Sequence, residues 1–227
     1  MLVGYNDSIM LLILIAIIPT IASVKVQSAF NQYSHRRTSR GYTGAEAATR
    51  ILAMKNITIP IQPVRGSMTD YYDPIHKSLA LSETVYGVDS IAAVCVAAHE
   101  CGHAMQDATD YSFLRFRHKI YPITHFASEL SMPLFIGGLI FSLPFLTDIG
   151  IAFFVITTLF AIITLPVEFN ASKRALATLE QSNMLNQEEL VGARKVLRAA
   201  ALTYVAAAVT SILSLIRLLI ISGRNDD

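Results

Sequence analysis

Charge is what this sequence has least of. Of its 227 residues only 15% are Asp, Glu, Lys or Arg, against about a quarter in an ordinary soluble domain. The little there is nearly cancels, to +1, and no basic patch is interleaved with aromatics, so no nucleic-acid partner is expected. Glycine-rich phosphate loops are absent as well, as are repeats and low-complexity tracts. Cysteine is scarce: Cys95 and Cys101 are the 2 in the chain. On one helix that spacing separates them by about 9 Å along the axis, beyond the roughly 7 Å between Cα atoms that a disulfide bridges. The pair therefore says nothing of an oxidising compartment. Cys95, one turn before His99, reads as a packing residue.

The missing charge has a location. Ser8–Val24, Leu130–Thr147, Ile149–Val167 and Ala199–Ile216 carry no charged residue at all. Each is near the roughly 20 residues that cross a bilayer as a helix, and a chain this short cannot bury four such helices beneath a polar shell. The expected fold is a mainly α membrane protein with about four transmembrane helices in a lipid bilayer. Nearly all of the 18 Lys and Arg residues fall between Lys25 and Lys119 or between Lys173 and Arg198. Four spans place both segments on one side, and the positive-inside rule makes that side cytoplasmic, with Asp148 at the outer hairpin. The first span is expected to be retained rather than cleaved, because Asp7 precedes its apolar run and the first cation, Lys25, follows it.

This layout gives a first helix at 1–24, a cytoplasmic catalytic portion at 25–129, a membrane hairpin at 130–167, a cytoplasmic helix at 168–198, a last span at 199–221 and a tail at 222–227. Within the catalytic portion, Thr43-Gly44-Ala45-Glu46 fits a capping box opening a helix to about Lys55. Asn56–Val64 is β-branched and broken by proline, as edge strands are. Tyr72-Asp73-Pro74 favours a turn, and Lys77–Val85 a second strand. Asp89 or Ser90 can cap a helix running to about Gln106.

That last helix carries His99-Glu100-Cys101-Gly102-His103. Residues four apart lie one above the other on a helix face, so both imidazoles can bind one metal ion. Glu100 points aside, where a carboxylate can take a proton from a metal-activated water. A catalytic zinc wants a third protein ligand. The position six after His103, where a third histidine would follow in a metzincin, holds Thr109. Glu129, His118 and His125 are possible, and Glu168, directly after the third uncharged run, is the better candidate.

The chain resembles integral-membrane zinc metallopeptidases of the YugP-like group. The resemblance rests on HECGH within AAHECGHAMQ, on YYDP and LALSETVY before it, and on a two-span hairpin followed by PVEFNASKRA. More distantly it is similar to the HtpX and CAAX prenyl protease group, in which the third ligand opens a Glu-x-x-Ala-Asp motif. The resemblance implies a gluzincin with one Zn(2+) per chain held by His99, His103 and Glu168, with Glu100 as base. It also implies a small α+β zincin-like portion of short edge strands around the HExxH helix. Ser172 stands where the distant group has aspartate, so Ser172 or Asn170 is expected to support a ligand histidine through a neutral hydrogen bond. Tyr121, His118, His125 and Arg174 are candidates for steadying an oxyanion. Leu79, Ala80 and Leu81 form a strand that could take an extended protein or peptide substrate by strand addition. The expected activity is membrane-embedded, zinc-dependent cleavage of membrane or membrane-proximal proteins. The alternative is a catalytically silent scaffold, with a structural zinc closed by a fourth side chain such as Cys95 or His125. A channel ranks below both, since the spans hold almost no charge.

Overall fold

The computed structural model describes residues 2–223; Met1 of the first expected span and residues 224–227 of the expected tail lie outside the described residues. The protein is mainly α, with one small sheet. Its elements in chain order are α1 (Leu2–Ser34), α2 (Gly44–Met54), β1 (Ile61–Val64), β2 (Tyr71–Asp73), β3 (Ser78–Ser82), α3 (Ile91–Ala108), α4 (Ser112–Ile140), α5 (Pro144–Ser182) and α6 (Gln187–Ser222). They divide into two compact units. Among the described residues, those before Val24, Arg115–Leu165 and those from Thr203 onward make the first; Val24–Leu114 and Pro166–Leu202 make the second.

The first unit draws on four helices long and apolar enough to cross a membrane, found within Ser8–Ser34, Ser112–Ile140, Pro144–Ser182 and Gln187–Ser222. Apolar side chains on them point outward, Ile13, Ile17, Leu159 and Ile212 among them, as lipid-facing residues do. Small residues bring the helices close. A Cβ on Gly150 of α5 would lie 2.6 Å from the Phe135 backbone nitrogen of α4. Thr158 and Ser211 share a hydroxyl–hydroxyl bond of 2.8 Å between α5 and α6.

The hairpin between α4 and α5 turns earlier than the sequence predicts. The turn lies at residues 141–143 and not at Asp148, which belongs to α5. Ser142 takes a positive φ of 54°, and the Leu143 N–H reaches back to the Gly138 carbonyl at 2.8 Å, a helix-ending pattern. Pro144 then opens α5, where its lack of an N–H costs nothing. Apolarity runs unbroken through this corner, so hydropathy could not mark it, and the only charge nearby misplaced it.

The second unit is built around α3. The predicted capping box forms at α2: Glu46 N–H donates to Thr43 Oγ1 at 3.3 Å and Thr43 N–H to Glu46 Oε2 at 2.9 Å. Ser90 caps α3, accepting from Ala93 N–H at 3.1 Å. Ala47, Ala48 and Ile51 of α2 and Ala92, Cys95 and Ala98 of α3 are fully buried, and all but Ile51 are small side chains that let the two helices close on each other. The sheet order is β1-β3-β2, β1 parallel and β2 antiparallel to β3.

β3 is therefore the central strand. Leu79, Ala80 and Leu81 are wholly buried, with β1 hydrogen-bonded along one edge and β2 along the other. This corrects the expectation that they offer an edge to substrate, because a strand paired on both sides has no free row of N–H and C=O groups. The predicted turn at Tyr72 also shifts. Tyr71–Asp73 is strand β2, and the turn starts at Asp73, whose Oδ1 accepts from Ile75 N–H at 2.8 Å and His76 N–H at 3.0 Å. The His76 imidazole bonded to the Asp73 carboxylate, followed by those backbone N–H groups, holds the Asp73 carboxyl low, at about 2.

Candidate metal and catalytic site

His99, Glu100 and His103 stand on α3 and Glu168 on α5, all within the second unit. What lets α5 approach is Gly102. A Cβ there would sit 2.5 Å from the Ala171 carbonyl oxygen, well inside contact distance, so only glycine permits the backbones to meet. The approach carries Glu168, 2% exposed, to the two imidazoles. Its Oε2 lies 3.3 Å from His99 Nε2 and 3.5 Å from His103 Nε2. The rings themselves stand edge to face, with centroids 4.9 Å apart.

One ligand atom from each of the three residues falls within 4.8 Å of the others. Ligands about 2.0–2.1 Å from a shared tetrahedral ion stand roughly 3.3–3.5 Å from one another, which is the separation found between the carboxylate oxygen and each imidazole nitrogen. Two imidazoles and a carboxylate are a donor set that suits zinc. Among the described residues no fourth His, Cys, Asp or Glu joins the group. Cys95, offered by the sequence as a closing ligand, is wholly buried, and burial pushes its thiol up, away from the thiolate a metal needs.

Glu100 lies beside this group and outside it. Its Oε2 accepts the backbone N–H of Tyr72 at 3.1 Å. Burial pushes the Glu100 carboxyl up, with the His103 and His99 imidazoles pulling the other way. Tyr72 fastens β2 to α3 a second time through its hydroxyl, which donates to Asp107 Oδ2 at 2.5 Å; Lys77 Nζ donates to the same oxygen. Burial, followed by that carboxylate, pushes the Tyr72 phenol up, so it stays a neutral donor. The strand edge that meets the glutamate thus belongs to β2.

Each imidazole has a partner at its far nitrogen. Ser172 Oγ lies 3.2 Å from His99 Nδ1. His103 Nδ1 lies 3.0 Å from Gln106 Oε1. Gln106 is wholly buried, and its Nε2 donates to the Val167 carbonyl at 2.7 Å and to Asn170 Oδ1 at 3.1 Å. The sequence reading missed Gln106. The signal was present, since the position three after His103 lies on the same helix face.

Arg174 is engaged within the protein. Its Nε donates to Asn170 Oδ1 at 2.8 Å and its Nη1 to the Met105 carbonyl at 3.2 Å, with the guanidinium over the Tyr111 ring. His118, Tyr121 and His125 belong to the first unit, where the Tyr121 and His125 rings pack 5.9 Å apart.

Residues 8–223 match the family described as "Putative neutral zinc metallopeptidase". Among curated proteins the chain is similar to "Putative membrane protease YugP" of Bacillus subtilis (strain 168), at 46% identity over 209 residues, 91% of this chain and 93% of that protein. No solved structure matches it.

Proposed function

The chain belongs to the neutral zinc metallopeptidase family, and from that membership we propose that it is a membrane-embedded zinc endopeptidase of the gluzincin kind, cutting membrane or membrane-proximal proteins. One observation carries the reading: His99, His103 and Glu168 hold three donor atoms at the spacing of a shared ion, with Glu100 alongside and no fourth side chain among the described residues in the group. When bound there, zinc supplies a Lewis acid that acidifies a water and polarises the scissile carbonyl.

The remaining work falls to the protein. Glu100 takes the proton of the attacking water on its carboxylate and returns it to the departing amine. The Tyr72 N–H keeps that carboxylate aimed. Ser172 and Gln106 hold the imidazoles against rotation. An extended substrate lies along the outer edge of β2, whose Tyr72 backbone already faces the glutamate, in place of the buried β3. Arg174 serves as a support for Asn170 rather than as an oxyanion donor.

A zinc closed by four side chains would exclude water and suit a silent scaffold. Stripping the metal with a chelator separates the two readings. Turnover of a membrane-protein substrate is expected to stop while the melting temperature falls only modestly, and adding zinc restores it. Collapse of the fold on chelation, with no turnover before it, would favour the scaffold.

The active site faces the cytoplasm on the distribution of Lys and Arg. Ile75, 84% exposed, makes a clean reporter for this, because both native cysteines are wholly buried. An Ile75→Cys variant is expected to react with a membrane-impermeant maleimide only after cells are opened. Labelling of intact cells would put the site outside.

A further inference from the structure

We propose that Gln106 is a positioning residue that fixes the tautomer of His103, its own orientation being set by the Val167 carbonyl and by an Asn170 side chain that Arg174 holds. The inference rests on the zinc reading above and concerns what the protein does before metal arrives.

The direction of every bond in this chain follows from what each group can do. A guanidinium only donates, so the Asn170 atom 2.8 Å from Arg174 Nε must be the amide oxygen. That oxygen only accepts, so the Gln106 atom 3.1 Å from it must be the amide nitrogen. The Val167 carbonyl, 2.7 Å from the same atom, requires the same choice. A flipped Gln106 would press oxygen on oxygen at two points inside a wholly buried pocket. The other end of the amide, Oε1, is then the atom 3.0 Å from His103 Nδ1. An amide oxygen can only accept, so Nδ1 carries the hydrogen, and in the neutral ring Nε2 is the nitrogen left with its lone pair. Nε2 is the nitrogen that faces Glu168 Oε2. The bonds thus converge on Asn170 Oδ1, which accepts from Arg174 on one side and from Gln106 on the other, while Gln106 accepts from His103.

His99 has no such lock. Its partner is the Ser172 hydroxyl, which donates or accepts with equal ease. One ligand is preset by the fold; the other adopts its tautomer on binding.

The test is zinc affinity of the detergent-solubilised full chain, read by competition with a chromogenic chelator, so that no activity is needed. Gln106→Leu is expected to weaken zinc binding about 10–100-fold, the usual cost of losing a ligand's outer partner. Since a leucine buried at this position could unfold the protein, Asn170 provides the second arm. Asn170→Asp keeps an oxygen that accepts from both Arg174 and Gln106 and is expected to bind zinc within a few-fold of wild type. Asn170→Leu removes the acceptor and is expected to lose about tenfold. Equal affinities for Asn170→Asp and Asn170→Leu, or wild-type affinity in a folded Gln106→Leu, would overturn the relay and leave the peptidase reading intact. A wild type that holds no zinc overturns both.

Discussion

Glu100→Gln is expected to end peptide cleavage while one zinc stays bound per chain. The exchange is close to isosteric, and the amide oxygen can still accept the Tyr72 N–H that the carboxylate accepts now. The three donors at His99, His103 and Glu168 are untouched. What disappears is the ability to take a proton from water and carry it to the leaving amine. General acid–base groups contribute about 10²–10⁴ to rate, and in the proposed mechanism one residue performs both transfers, so the loss should lie at the upper end of that range. Paired measurements check it: cleavage of a membrane-protein substrate and zinc content by elemental analysis on the same preparations. Unchanged rates with zinc in place would sink the assignment of Glu100 as base.

Glu168→Ala should do the reverse, emptying the site before chemistry can begin. The carboxylate is nearly inaccessible and lies between two imidazoles at 3.3 and 3.5 Å. On the zinc reading proposed above, removing it takes away one of three protein ligands and the one negative charge among them. Losing an outer partner costs about 10–100-fold in affinity, and a direct ligand should cost more than the top of that range. Zinc content is therefore expected to fall from near one per chain to a small fraction after gel filtration. Wild-type zinc in the variant would mean that another group closes the site. Glu129, which the sequence also offered, is a poor substitute: its side chain is 65% exposed and pairs with His125 at 3.5 Å in the first unit.

What could be read from the sequence was whatever depends on short range. The stacking of His99 on His103 follows from the helical period, and the cap at Thr43 follows from its spacing to Glu46, while the start of α3 was narrowed to Asp89 or Ser90, of which Ser90 is the cap. Glu168 was within reach because an uncharged run ends directly before it. The resemblance to a known peptidase group then tied it to the histidines. The failures lie where the answer depends on what a segment packs against. Leu79–Leu81 read like any strand, and nothing local says that partners take both edges. Tyr71 and Tyr72 read as part of a turn until β3 pairs with them. Gln106 could have been picked by its spacing from His103, but its importance comes from Val167 and Asn170, which reach it only because α5 lies against α3. The corner at residues 141–143 escaped because membrane helices and their tight turns are equally apolar.

Gly102 has a consequence for how closely the three donors can gather. The gap between the histidine helix and the glutamate helix is gauged by main chain against main chain, at a point where no side chain is present to swivel or compress. Rotamers can absorb small displacements at an ordinary interface; this contact has none. The contact therefore sets how near the two helices come, and substitutions in the side chains around the site leave that limit where it is.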